Sequence, residues 1–203
     1  MIPPQPTLAG VILAGGLARR MNNTDKGLVT LNGTPLVSYV IEALTPVVDN
    51  IYISANRNVD TYKSFGYPVI TDQTQDFSGP LAGIFSVMQV THVDILLVVP
   101  CDSPLIKAKH LQKLLTTLIG SNCEISVAFD GERLHPVFLA LKTTLASSLS
   151  DYLKSGERKV ENWLKQQHWE TTDLSAEPEI FTNINTLEEL RLLEAEILNA
   201  IEQ

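Results

Sequence analysis

Leu8-Ala9-Gly10-Val11-Ile12-Leu13-Ala14-Gly15-Gly16-Leu17-Ala18-Arg19-Arg20-Met21-Asn22-Asn23-Thr24-Asp25-Lys26 is the stretch on which the reading of this chain turns. A short apolar run of strand type ends at two glycines, two arginines follow, and Lys26 lies eleven residues beyond Gly15. Lacking a Cβ, Gly15 and Gly16 let the chain turn sharply as the strand ends and bring backbone N–H groups close to an anion. Arg19 and Lys26 bring cations to the same concavity, where a charge pair at about 4 Å is worth roughly 4 kcal/mol at an effective dielectric of 20. This order predicts a phosphate-binding loop. Two familiar loops are excluded by spacing. The Walker pattern needs Gly-Lys followed by Ser or Thr, whereas Gly27 follows Lys26, and Ala18 stands where the dinucleotide fingerprint wants glycine. A glycine turn after a core strand, with the arginines solvated, remains the structural alternative.

Ile95-Leu96-Leu97-Val98-Val99 is continuously apolar and rich in β-branched residues, the pattern of a central parallel strand buried on both faces. It runs directly into Pro100-Cys101-Asp102-Ser103-Pro104. A carboxylate at the mouth of the most buried strand is costly unless it meets a cation or hydrogen-bond donors. Asp102 is therefore the candidate metal ligand, since Mg²⁺ typically takes one or two carboxylates together with waters and substrate phosphate oxygens. The alternative is an Asp that caps a helix begun by Pro104 and Leu105.

Around these two strands the pattern alternates. Thr34 and Pro35 read as N-cap and first residue of a helix carrying Leu36, Val40, Ile41 and Leu44 on one face, with Pro46 ending it. Asn50–Ser54 reads as a second buried strand and Pro68–Ile70 as a third, with a short helix near Thr61–Phe65 between them. Asp72, just past the third strand, is either a ligand contact or a loop carboxylate capping a turn. Gly79-Pro80 opens a helix whose Leu81, Ile84, Phe85 and Met88 form a core stripe, and such an N-terminus is also a place for an anion. A helix near Lys107–Leu118 precedes two strands, Glu124–Phe129 and Leu134–Leu141, joined through the hairpin signal Asp130-Gly131. His135 can be a general base or a structural residue. A helix from Thr143 to Leu153, the basic turn Arg158-Lys159, a last strand Ile180–Asn185 and an acidic helix opened by Thr186 and Glu189 complete the chain. The expectation is one α/β domain over residues 1–203, with a single doubly wound, mostly parallel but mixed sheet flanked by helices.

Composition limits the function. The chain has 203 residues and a formal charge of -8, from 15 Lys and Arg against 23 Asp and Glu. Such a field repels a nucleic-acid polymer but tolerates a small anion in a local basic pocket. A chain of this size buries roughly 70% of its extended surface, enough for a core without disulfides. Cys101 and Cys123 show neither metal nor redox spacing, which favours reduced thiols and a cytoplasmic protein. The prolines of the N-terminus argue against a secretory signal, and no apolar run approaches the roughly 18 residues of a membrane span.

Leu13-Ala14-Gly15-Gly16 followed by Arg19, Met21 and Lys26 resembles the signature of the nucleotidyltransferase superfamily, with its Rossmann-like fold. Asn56-Arg57, Asp72, Gly79-Pro80-Leu81-Ala82-Gly83, Pro100-Cys101-Asp102-Ser103-Pro104, Asp130-Gly131-Glu132-Arg133 with His135-Pro136, Gly156-Glu157-Arg158 and Asn183-Ile184-Asn185-Thr186 resemble, in order, the molybdenum cofactor guanylyltransferase (MobA) family. The resemblance spans nearly the whole chain. It implies transfer of GMP from GTP, with Mg²⁺, to the phosphate of molybdenum-molybdopterin, giving the guanine dinucleotide cofactor and pyrophosphate.

Carried over by position, Leu13, Ala14, Gly15, Gly16, Lys26, Ser54, Asp72 and Asp102 bind the nucleotide. The resemblance implies that Gly79, Pro80, Asn183 and Asn185 lie toward the pterin and that Asp102 also holds the metal. Arg19, Lys26 and Asp102 are the expected catalytic residues, Arg19 and Lys26 stabilising charge at the α-phosphate and departing pyrophosphate. The resemblance further implies transient contacts with proteins that deliver molybdopterin and mature molybdoenzymes. Two positions depart from the family: Ser54, where better-known members carry asparagine, and Asn22, where glycine is common. The rival functions are a sister transferase using CTP or acting on a sugar or polyol phosphate, and a nucleotide-binding module without catalysis.

Overall fold

A strand that is apolar at every position must be covered on both faces, and β1 (Leu8–Leu13) is buried from Ala9 to Ile12. The computed structural model describes residues 5–14, 17–18, 24–72, 79–182 and 187–201. After β1 come two short antiparallel pairs, β2 (Leu17–Ala18) with β3 (Thr24–Asp25) and β4 (Thr30–Leu31) with β5 (Thr34–Pro35). The chain continues through α1 (Leu36–Leu44), β6 (Asn50–Ser54), α2 (Val59–Lys63), β7 (Val69–Ile70), α3 (Pro80–Val90), β8 (Ile95–Pro100) and α4 (Ala108–Gly120). It ends with β9 (Ile125–Phe129), β10 (Leu134–Lys142), α5 (Ala146–Lys154), α6 (Val160–Leu164), β11 (Trp169–Asp173) and α7 (Leu187–Ile201).

Among the described residues the main sheet has seven strands in the order β11-β9-β10-β8-β1-β6-β7. β1 is parallel to both neighbours, with Val11 opposite Tyr52 on β6 and Val98 on β8. β10 runs antiparallel to β8 and β9, and β11 is parallel to β9. The mixed, mostly parallel α/β sheet expected from the sequence is thus the one formed.

Alternate residues of the central strands feed two cores. Ile12, Leu97 and Val99 join Val40 and Leu44 of α1 and Leu111 and Leu114 of α4 on one face. Val11, Leu96 and Val98 join Ile84 and Val87 of α3, Leu149 of α5 and Trp163 of α6 on the other. From β1 the chain passes by α1 to β6 on one side, and α3 later returns it to β8 on the other. The gap between the ends of β1 and β8 is therefore the topological switch point, where open α/β sheets bind ligands.

Several expectations shift. Thr34 and Pro35 form a ladder strand rather than the start of α1; the first helical N–H, on Leu36, already donates to the Val29 carbonyl at 2.9 Å. The Thr61–Phe65 helix lies slightly earlier, at Val59–Lys63. Thr143–Leu145 is a 3-10 turn before α5. Ile180 and Phe181 belong to a 3-10 turn that begins at Pro178, not to a strand, and the place beside β9 is taken by β11. Residues 183–186, the rest of that expected strand and the proposed cap Thr186, lie outside the described residues. Both cysteines are buried and free.

Candidate active site

The ends of three strands are tied together by backbone bonds at the switch point. Ala14 donates to the Ser54 carbonyl at 2.8 Å, and Cys101 donates to the Leu13 carbonyl at 3.0 Å. Above them lies a cleft of about 320 Å³ bordered by Leu13, Ala14, Lys26, Ser54, Asn56, Asp72, Gly79, Pro80 and Asp102. Of the expected nucleotide and pterin residues, every one that is described lies on this cleft. Gly15, Gly16, Arg19, Asn22, Asn183 and Asn185 fall outside the described residues.

Lys26 and Asp102 meet across the cleft, Nζ to Oδ2 at 3.0 Å, with side chains 20% and 9% exposed. Asp102 does not cap a helix: α4 begins only at Ala108, and the Lys107 N–H that precedes it donates to Nδ1 of His110 at 3.0 Å. Asp25, which the sequence reading passed over, is buried beside Lys26. Its Oδ1 accepts from the Tyr62 hydroxyl at 2.5 Å and the Gly27 N–H at 3.2 Å, and its Oδ2 from the Asn58 amide at 3.1 Å. Burial first, then the Asp102 and Asp25 charges, pushes the Cys101 thiol up, so it stays protonated and is not a nucleophile.

Gly27 is required by close approach. A Cβ there would lie 2.6 Å from the Tyr62 hydroxyl and 3.0 Å from both Cβ and Sγ of Cys101. Gly27→Ala is expected to destabilise the protein by about 1–3 kcal/mol through overpacking, read as a lowered urea midpoint. A wild-type midpoint would mean the turn moves freely.

On the far wall, Asn56 and Asp72 clasp each other. The Asn56 amide donates to Asp72 Oδ2 at 2.7 Å and the Asp72 N–H donates back to Asn56 Oδ1 at 2.8 Å. The Ser86 hydroxyl of α3 adds a bond to Asp72 Oδ1 at 3.3 Å. The clasp closes the tops of β6 and β7. Ser54 is buried where α3 comes nearest: a Cβ on Gly83 would lie 2.4 Å from its Oγ.

His135 is held as a structural residue. Its Nε2 lies 2.6 Å from Asp130 Oδ2, and its ring stacks on Phe181 with centroids 3.7 Å apart. Arg158 donates to the Leu153 carbonyl at 2.8 Å, closing the end of α5. The Arg133 N–H, the His135 ring and the Glu132 N–H together hold the Asp130 carboxyl below the ordinary range. A carboxyl held low contributes stability above its ordinary pKa of about 4 that is lost as pH falls toward the lowered value. Asp130→Asn should therefore cost stability at pH 7 and progressively less below about pH 4. Parallel urea denaturations would show that narrowing gap; a gap equal at both ends contradicts it.

The donor set bears on the metal question. Oδ2 of Asp102 takes the Lys26 ammonium, while Oδ1 has no protein donor among the described residues. Among those residues no group of three or more His, Cys, Asp or Glu converges. Asp102, on a cleft that carries Asp72 as a second carboxylate, fits Mg²⁺, which takes one or two carboxylates, keeps its waters and takes substrate oxygens, and does not fit a tetrahedral zinc site.

A sequence profile described as the MobA-like NTP transferase domain matches residues 10–171. The chain belongs to the MobA-like NTP transferase family. Among relatives in this family, the molybdenum cofactor guanylyltransferase of Shewanella loihica is 44% identical over 188 residues, covering 93% of this chain and 96% of that protein. The one from Shewanella piezotolerans is 42% identical, covering 95% of each. The fold is shared with molybdopterin-guanine dinucleotide biosynthesis protein A of Archaeoglobus fulgidus, with a TM-score of 0.78 at 20% identity over 95% of this chain and 100% of that one. Like those MobA-like enzymes, the chain is a nucleotidyltransferase. No described helix is long and apolar enough to cross a membrane.

Proposed function

We propose that the protein transfers GMP from GTP to the phosphate of molybdenum-molybdopterin, forming the guanine dinucleotide cofactor and pyrophosphate. The observation that carries this reading is the 44% identity to a named guanylyltransferase over 93% of the chain. The Lys26–Asp102 pair at the switch-point cleft supports it, because it supplies the cation and the carboxylate that the chemistry needs.

The acceptor phosphate is already an anion, so no side chain has to remove a proton to make it a nucleophile. One of its oxygens bonds to the α-phosphorus as the bond to the pyrophosphate oxygen breaks. The protein's task is to align the two and to stabilise charge on the leaving pyrophosphate. Lys26 holds an ammonium toward that charge, and Arg19 is assigned the same task. Asp102 is the residue that would hold Mg²⁺, which when bound neutralises triphosphate charge. Leu13, Ala14, Gly15, Gly16, Ser54 and Asp72 are assigned to the nucleotide side. Gly79 and Pro80, at the start of α3, are assigned with Asn183 and Asn185 to the pterin side. A cytoplasmic location and transient contacts with the proteins that bring molybdopterin and receive the product complete the proposal.

A thermal-shift comparison tests the nucleotide. GTP with Mg²⁺ should raise the melting temperature well beyond CTP with Mg²⁺. A larger shift with CTP would move the assignment to a cytidylyl transferase.

A further inference from the structure

We infer that Tyr62, which lies outside the cleft, positions Lys26 by locking Asp25. The inference rests on the assignment of Lys26 to the nucleotide phosphates.

Lys26 opens a 3-10 turn, Lys26–Leu28, whose N-cap is Asp25. Where the Lys26 ammonium can reach depends on how firmly that turn is seated. Asp25 is 7% exposed, and a carboxylate so buried needs donors. It has three. One, the Gly27 N–H, belongs to the turn itself; the other two, the Tyr62 hydroxyl and the Asn58 amide, come from α2 and its N-cap. The carboxylate therefore clamps the turn to α2 with charge-assisted bonds, the shortest of them 2.5 Å to Tyr62.

The clamp's far jaw is rigid. Tyr62 is fully buried among Ile53, Val99 and Cys101 on the α1–α4 face, and the same hydroxyl sits over the Cα of Gly27. One phenol thus fixes the turn by a hydrogen bond and by contact. The next side chain, Lys26, then spans to Asp102, 3.0 Å away at the end of β8. A misplacement of about 1 Å at a charge-stabilising group can cut turnover by roughly 10²-fold, so a partial loosening of the turn has a measurable kinetic cost.

The test is a double-mutant cycle on pyrophosphate release, using the full chain with GTP, Mg²⁺ and molybdenum-molybdopterin. Tyr62→Phe removes only the hydroxyl and should lower kcat by about tenfold while leaving the acceptor KM within about twofold. The control is Tyr39→Phe, which deletes a phenol bonded to the Leu31 carbonyl at 2.8 Å. It should lower the melting temperature and leave kcat unchanged. In a Lys26→Ala background, Tyr62→Phe should have no further effect. Asn58→Gly suits the left-handed φ of 48° at that position and removes the Oδ2 donor. It should lower kcat in the same direction, and it decides the matter should Tyr62→Phe fail to fold. Wild-type kcat in the folded clamp variants, or an equal loss with Lys26 already absent, would overturn the inference alone. Wild-type turnover in Lys26→Ala would overturn the Lys26 assignment, and this inference with it.

Discussion

Lys26→Ala should lower guanylyl transfer by a factor on the order of 10²–10³ while leaving the fold intact. The ammonium is the described cation that reaches the switch-point cleft, and it does so from a turn fixed by Asp25 rather than from a flexible loop. Charge on the departing pyrophosphate builds only as the α-phosphorus bond breaks. Loss of the cation should therefore fall mainly on kcat. The pair is largely buried and Asp102 takes no other donor among the described residues, so truncation should also lower the melting temperature by several degrees without unfolding the protein. Single-turnover pyrophosphate release and a thermal melt read the two quantities. Turnover within a few-fold of wild type would remove Lys26 from the mechanism.

Asp102→Asn should abolish the Mg²⁺ dependence of GTP binding and lower turnover by at least about 10²-fold. The substitution keeps the shape and an acceptor for Lys26, but removes the charge that makes the carboxylate a ligand for a hard cation. GTP affinity measured with Mg²⁺ and with EDTA should then coincide for the variant and differ for the wild type. A variant whose GTP affinity still falls on chelation would place the metal on other groups.

What could be read from the chain follows from how each feature is built. β1 and β8 are buried on both faces, so their apolar runs are unbroken and their ends are sharp. Lys26 and Asp102 could be singled out because a charged residue just past such a strand or glycine turn has few structural reasons to be there. That the two meet depends on the sheet order, which places β8 directly beside β1. Asp25 was missed because its partners, Asn58 and Tyr62, lie more than thirty residues away and carry no local pattern. The Asn56–Asp72 clasp likewise joins two loops that become neighbours only when β6 and β7 pair.

Two elements of the second half escaped for a different reason. β11 reads Trp169-Glu170-Thr171-Thr172-Asp173, an edge strand exposed at most positions, and so lacks the apolar alternation that marks a strand. Ile180 and Phe181 have strand-like composition, but they are buried as a short turn whose Phe181 ring lies on His135. Burial of that ring, not backbone pairing, decides their conformation.

Guanylyl transfer at the cleft between β1 and β8 is tested most directly by incubating the protein with molybdenum-molybdopterin, Mg²⁺ and GTP labelled at the α-phosphate, beside a parallel incubation with α-labelled CTP. The label from GTP should pass into the pterin dinucleotide with one pyrophosphate released for each label transferred, and CTP should transfer little. Label recovered as GDP with release of orthophosphate, or equal transfer from CTP, would contradict the assignment.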